Sequence, residues 1–255
     1  MALLRRTRTH VWFRLLLLQG SWNFERLQGL GFFFVLLPAL KRLYSGEQLQ
    51  KIAKEHTGYF NTHPYLAPLV VGAVLKLEEA RANGQPPVEI DEFKEVVAAP
   101  YAAIGDALFW GGLRPLSAGI ALFFAAKGIL WAPLVFLLFY NLVPLVFRVS
   151  GFVRGYHQGV CSVEFFQKRH LPDWAIHTKE AAVVVLGGLS AFLVFQHLQQ
   201  QKMVSWLGLL TLVPMILLGL LARKGVSTLL LALLCSIVVI LLSLFWVDAT
   251  RLIAI

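Results

Sequence analysis

Residues 98–115 read AAPYAAIGDALFWGGLRP, an apolar stretch with a carboxylate at Asp106, an indole at Trp110 and a guanidinium at Arg114. Such a set suits a hydroxyl-rich ligand. A fixed acceptor and a fork of donors meet adjacent hydroxyls, and an indole face stacks on a pyranose ring. A plainer arrangement is equally open: Asp106 and Arg114 satisfy each other inside a helical bundle, and Trp110 fills its core. A charge at mid-bilayer costs roughly 2.5–3.5 kcal/mol on insertion scales, so ionisable residues there line a polar path or pair. Pro100, Gly105, Gly111, Gly112 and Pro115 punctuate the stretch. Interrupted backbone is tolerated in hydrocarbon only where protein or a water-filled cavity surrounds it, which predicts a discontinuous, transporter-like segment.

Asn61-Thr62-His63-Pro64 is a second polar group. Asn61, Thr62 and His63 either offer polar contacts at a helix break near the membrane, or Asn61 or Thr62 caps the helix that Pro64 is placed to open. Glu78 and Glu79 beside Arg81 read as a solvated helix end facing a partner. His10, His56, His157, His170, His177 and His197 are scattered through loops and ends, with no metal-ligand spacing to Cys or carboxylates. Neither a metal nor a cofactor is therefore expected. The chain carries no phosphate loop, nucleophile elbow or paired-carboxylate arrangement, so no catalytic residue is assigned.

The elements that must position these groups belong to a membrane protein. Hydrophobic residues make up 58% of the chain and charged ones 15%, with mean hydropathy +0.69, far from a soluble domain. Residues 181–198, 203–222 and 226–247 are apolar runs near the ~20 residues a spanning helix needs, and residues 129–147 are another. The net charge of +9 reads as topology, not nucleic-acid binding, because the basic residues collect at the edges of apolar runs instead of on one solvated face. Arg148, Arg154, Lys168, Arg169, Lys179, Arg223 and Lys224 fall on the cytoplasmic side by the positive-inside rule. Cys161 and Cys235 are too differently placed to suggest a disulfide. Arg5, Arg6 and Arg8 precede a short apolar run and read as a basic membrane-surface arm.

The fold class expected is an all-α polytopic membrane protein, with spanning helices and short re-entrant or interfacial segments. Residues 1–95 hold the basic arm, two apolar segments too short to span, an amphipathic helix near residues 47–60 and a small acidic helix after a turn over residues 83–87. Residues 96–147 hold the broken segment and a span. Residues 148–180 form a cytoplasmic loop, and residues 181–255 three C-terminal spans. About five crossings result.

SWNFERLQGLGFFFVLLPALKRLY at residues 21–44, FNTHPY at 60–65, LKLEEARANG at 75–84 and IGDALFWGGLRP at 104–115 occur in that order. Together they resemble the IID subunit of the mannose/fructose/sorbose branch of bacterial sugar phosphotransferase systems. The resemblance runs from about residue 19 to residue 159; beyond it only the hydropathy agrees. It implies a subunit without a phosphorylated residue of its own, paired with a IIC membrane subunit as the sugar-translocating unit in the bacterial inner membrane. Soluble IIA and IIB components would relay phosphate from phosphoenolpyruvate to a hexose-type sugar, and IIC–IID pairs would form a higher oligomer. Asp106, Arg114 and Trp110 would then lie near the substrate path, with Asn61 and His63 beside it. Three departures stand out: Ala107 replaces a family proline after Asp106, His63 precedes Pro64, and an extended polar insertion shrinks to Gln199-Gln200-Gln201-Lys202. These departures leave a non-transporting regulatory subunit as the alternative.

Overall fold

The computed structural model describes residues 4–85, 88–164 and 168–253, and no β-strand occurs among them beyond isolated bridges. The turn expected over residues 83–87 is seen at Asn83 and Gly84, whose φ is +77°; Pro86 and Pro87 lie outside the described residues. The chain divides into two compact units, residues 1–189 and 190–255.

The first unit begins with α1 (Arg5–Leu15), α2 (Gly29–Leu43), α3 (Gly46–His56) and α4 (Ala67–Ala82). α2 and α4 are too short to span at about 1.5 Å per residue. Pro38 sits within α2 and does not end it. From Ala67 to Leu75 α4 is apolar all round, and all of those residues are buried. A helix without a polar face belongs at the centre of a packed body, and α4 is that centre. α2 covers it with Phe32, Val35, Leu36, Ala39 and Leu40, all buried.

α5 (Ile90–Gly105), a π-helical stretch (Asp106–Leu113) and α6 (Arg114–Ala126) follow as one continuous helix. The small acidic helix expected before residue 96 is therefore the first part of α5. α7 (Ala132–Gln158) ends at Gly159, whose φ of +55° suits a residue without a Cβ. α8 (Leu171–Gln200) then carries the chain into the second unit. The loop expected over residues 148–180 is thus mostly helical, since α7 supplies its start and α8 its end. In the second unit a 3₁₀ turn (Ser205–Thr211) leads into α9 (Leu212–Arg223) and α10 (Thr228–Ile253). Leu217, Leu229 and Val239 are among its many exposed apolar side chains, as a lipid-facing surface requires.

Ile90–Ala126, Ala132–Val163, Leu171–Gln200 and Ser205–Arg223 are long and apolar enough to cross a membrane, and α10 adds the apolar Thr228–Leu244. The all-α polytopic membrane fold expected from the sequence is the one observed.

The tightest packing is between α4 and α7. A Cβ on Gly72 would run into the Phe152 carbonyl and the Tyr156 amide, and one on Gly155 into the Leu69 carbonyl. The two backbones touch there with no side chain between them. Gly151 and Gly155 form the small-xxx-small spacing that permits such approach between membrane helices.

Buried polar groups reinforce the crossing. Tyr156 Oη donates to Glu79 Oε1 at 2.5 Å. Glu78, with no exposed side-chain surface, accepts from Tyr44 Oη at 2.6 Å and lies 2.8 Å from His56 Nε2. Arg81 adds its charge 3.7 Å from Glu78 and is held by Glu55 at 2.7 Å. Burial pushes the Glu78 carboxyl up, but the His56 and Tyr44 hydrogen bonds and the Arg81 charge outweigh it and hold it below the ordinary range. The expected solvated end at Glu78-Glu79 is corrected: both carboxylates are interior, and they tie α4 to α3, to α7 and to the end of α2.

Gly155→Ala is expected to destabilise the purified protein by about 1–3 kcal/mol, the range for overpacking a tight site. Gly188→Ala, whose new Cβ would meet nothing within 4 Å, is expected to be neutral or stabilising by up to about 1 kcal/mol. Thermal unfolding in detergent, followed by tryptophan fluorescence, measures both. Equal melting temperatures for the two variants would count against a backbone-to-backbone crossing.

Candidate functional site

His63 is positioned by three local devices. The Asn23 side chain accepts the Glu25 and Arg26 amides at 3.1 and 2.9 Å and tightens the loop before α2. Gln28 then clasps the next loop: its Nε2 donates to the Thr62 carbonyl at 2.5 Å and its Oε1 accepts the Thr62 amide at 3.1 Å. The His63 carbonyl, finally, accepts the Leu66 and Ala67 amides at 2.9 Å as α4 begins. α4 has no side-chain cap, so the capping expected of Asn61 and Thr62 is done by the His63 backbone.

The ring of His63 lies against Gly105, where a Cβ would overlap its Cβ and Cγ. It stacks on Phe109 with centroids 5.0 Å apart and meets the Trp110 edge at 4.9 Å. Glycine at the last position of α5 is therefore what lets the second motif dock on the first.

His63 Nδ1 accepts the Tyr65 amide at 3.3 Å, which leaves the proton of the neutral ring on Nε2. Nε2 is buried, has no hydrogen-bond partner and points at Asp106 Oδ1 from 3.9 Å. Burial first, then the nearby Arg148 guanidinium, lowers the imidazole pKa to about 4. At neutral pH the imidazole is thus an uncharged donor, and its approach to Asp106 is not an ion pair.

The helix widens next to His63. Pro115 cannot donate to the carbonyl four residues back, and its ring would press on that carbonyl. A π register over Asp106–Leu113 opens the turn, and Gly111 and Gly112 let α8 approach it: Cβ atoms there would meet Lys179 and Thr178. Stretches of π-helix are rare and are enriched at functional sites. The expected discontinuity is a widened helix without a gap in the chain.

Asp106, Trp110 and Arg114 follow at four-residue spacing and are all exposed. No ion pair joins Asp106 to Arg114 among the described residues, so the alternative in which they neutralise each other does not hold. Trp110 is half-exposed, at 48%, and so does not fill a core. Asn61 is half-buried in the loop before His63.

Several contributors were not singled out in the sequence. Tyr65 Oη lies 3.2 Å from Tyr140 Oη, and the Arg148 guanidinium covers the Tyr65 ring at 4.8 Å. Phe109 meets Phe147 at 5.3 Å. Lys179, named in the sequence for topology alone, lies on Gly111. Aromatic spacing between residues 136 and 147 was the available signal for the α7 members.

These contacts also fix a level. Phe109 lies beside Phe147, where the apolar length of α7 gives way to Arg148, and Gly111 lies beside Lys179, where the apolar length of α8 begins. Gly119 reaches Val185 and Leu186, within that length. Asp106 therefore sits at the end of the neighbouring apolar lengths, not at their middle as residues 98–115 alone suggest. Arg114 lies about 6 Å further in, at 1.5 Å per residue over one turn.

Residues 2–248 match the model of the mannose/fructose/sorbose family IID component of the PTS system. The mannose-specific EIID component of Escherichia coli K12 is 42% identical over 157 residues, covering 59% of this chain and 54% of that protein. The sorbose-specific EIID component of Klebsiella pneumoniae is 39% identical over 145 residues, 56% of this chain and 53% of that protein. The fructose permease IID component of Bacillus subtilis is 36% identical over 146 residues, 56% of this chain and 53% of that protein. The chain thus spans about half the length of the curated relatives it matches. A solved membrane-protein structure aligns with TM-score 0.76 at 31% identity, covering 94% of this chain and 96% of its own. A chain of the mannose transporter ManYZ in complex with microcin E492 aligns with TM-score 0.60 at 30% identity and the same coverage.

The depressed pKa of His63 has a definite sign. A histidine ordinarily takes up its proton near 6.5, whereas this one, when folded, does so only near 4. The unfolded chain therefore binds the proton first as pH falls. The stabilisation is complete above pH 6.5 and is lost progressively between 6.5 and 4. Melting temperatures measured across that window should fall for the native protein, and His63→Gln should flatten the His63 part of the fall.

Proposed function

Since the chain belongs to the mannose/fructose/sorbose family of IID components of sugar phosphotransferase systems, we propose that it carries a hexose-type sugar across the bacterial plasma membrane together with a IIC membrane subunit. Phosphate from phosphoenolpyruvate reaches the sugar through soluble IIA and IIB components, and the IIC–IID pairs assemble into a higher oligomer. The relatives' names span mannose, sorbose and fructose, which supports the class of substrate. The alignment with a chain of a ManYZ transporter supports the kind of partner.

The observation that carries the site is the exposed row of Asp106, Trp110 and Arg114 on a π-widened helix, backed by the neutral N–H of His63. Charges on a spanning helix are stable when they face protein or a water-filled cavity instead of lipid. A IIC surface over this row would provide that and enclose a polar path. Asp106 accepts sugar hydroxyls, Arg114 donates to them and Trp110 offers its ring face. His63, its N–H 3.9 Å from the carboxylate, stands beside the path, and Asn61 lies in the same loop. The positive-inside assignment of Arg148 and Lys179 puts this row at the cytoplasmic end, where a IIB component can meet the arriving sugar.

In a reconstituted complex with its IIC partner, Asp106→Asn and Arg114→Gln should each lower uptake of radiolabelled mannose, sorbose or fructose by about tenfold or more, the scale of a lost charged hydrogen bond. Trp110→Ala should lower it several-fold, by the loss of stacking. Co-purification with the IIC subunit should be unchanged. Normal uptake by all three assembled variants would remove the proposed path and leave the regulatory alternative.

A further inference from the structure

The basic arm finds a use that sugar transport does not require. α1 lies beside the end of α7, and between them is a cavity of about 490 Å³. From α1, Arg5, Arg8 and Trp12 line it; from α7, Val149, Val153 and Tyr156. No carboxylate is among the lining residues. The Arg8 guanidinium lies 4.7 Å from the Tyr156 ring centroid, and its buried Nε has no hydrogen-bond partner. Neither Arg5 nor Arg8 is ion-paired among the described residues. The phenol end of Tyr156 is already engaged, donating to Glu79, which Lys76 neutralises at 3.6 Å. The two arginines are therefore left over, and they face a cavity whose wall is apolar.

We propose that this cavity is a binding site for an anionic diacyl phospholipid. The phosphate lies between Arg5 and Arg8, Trp12 sits at headgroup level, and an acyl chain runs along Val149 and Val153, which are 42% and 48% exposed. Charge complementarity selects the occupant: two uncompensated guanidiniums bind a phosphodiester, and the valine face suits hydrocarbon but not a free ion. Basic pockets between helices at the cytoplasmic face are where anionic headgroups bind, and Arg148 and Arg154 mark this end of α7 as that face. The arm itself is suited to the interface, with Trp12 beside exposed Phe13, Leu16 and Leu17.

The test is native mass spectrometry and thermal shift of the full-length protein, titrated with phosphatidylglycerol, phosphatidylcholine or inorganic phosphate. Phosphatidylglycerol should give a saturable one-lipid adduct and raise the melting temperature, and the other two should not. Arg8→Gln should weaken that binding about fivefold, the scale of one arginine near an anionic headgroup. Arg6→Gln removes the same charge from the same helix but does not line the cavity, so it should change binding less than about twofold. Val153→Trp keeps every charge, fills the apolar wall and should also abolish the adduct, so it decides the matter if Arg8→Gln fails to fold. Three results would overturn the proposal: equal losses for Arg6→Gln and Arg8→Gln, which would mean a diffuse basic surface; stabilisation by phosphate alone; or an unaltered adduct in Val153→Trp.

Discussion

Two backbones meeting without side chains between them, at Gly72 of α4 and Gly155 of α7, set the register on which the rest of the first unit depends. Helices that touch in this way cannot slide by a residue without driving a Cβ into a carbonyl. Tyr156, next to Gly155, is thereby aimed at Glu79 on the facing helix. Phe147, two turns earlier, is aimed at Phe109, on which His63 stacks. One contact between small residues thus places a buried polar clasp at one end of the crossing and the candidate sugar site at the other.

The interior carboxylates follow from the same geometry. Glu78 and Glu79 stand on the buried side of α4, without a route to solvent, and must be satisfied by neighbours. The partners arrive from far along the chain: Tyr44 and His56 for Glu78, Tyr156 for Glu79. An unpaired charge at that position would cost several kcal/mol, whereas a fully bonded one ties helices together in a single arrangement. Stability and specificity are not the same quantity here. An apolar residue in place of either acid would strand the buried Tyr44, His56 or Tyr156 groups and would no longer select the approach of α3 or the end of α2.

Much of this was legible in the sequence, and the reasons differ by residue. The all-α membrane fold and its long apolar helices follow from hydropathy, because length and composition alone decide whether a helix can span. The two motifs around His63 and Asp106 were recognisable separately, and the structure brings them into contact. Their contact was not legible, since it depends on Gln28 gripping Thr62 and on the missing Cβ of Gly105. Glu78 and Glu79 were misread because a charge pattern is identical whether the helix end is wet or paired inside. The loop over residues 148–180 was misread because basic residues such as Arg148 and Lys179 stand within long helices, where they follow topology and not secondary structure. The GFVRG spacing at residues 151–155 was present and diagnostic of close helix contact.

The π stretch explains how polar groups can stand on a lipid-length helix without breaking it. A true gap in the helix would leave several carbonyls and amides to be satisfied by something else in an apolar setting, at a cost of several kcal/mol for each group. A wider turn keeps the ladder bonded, spares the carbonyl that Pro115 would crowd, and rotates Asp106, Trp110 and Arg114 relative to the α5 face that packs inward. Placing the widened turn level with Arg148 and Lys179 matters as much as its shape. At the end of the neighbouring apolar lengths a polar side chain has a shorter route to water than at their middle. On the path proposed above, the same position sets a hydroxyl acceptor at the end where an inbound sugar leaves the bilayer, on the side where it is phosphorylated.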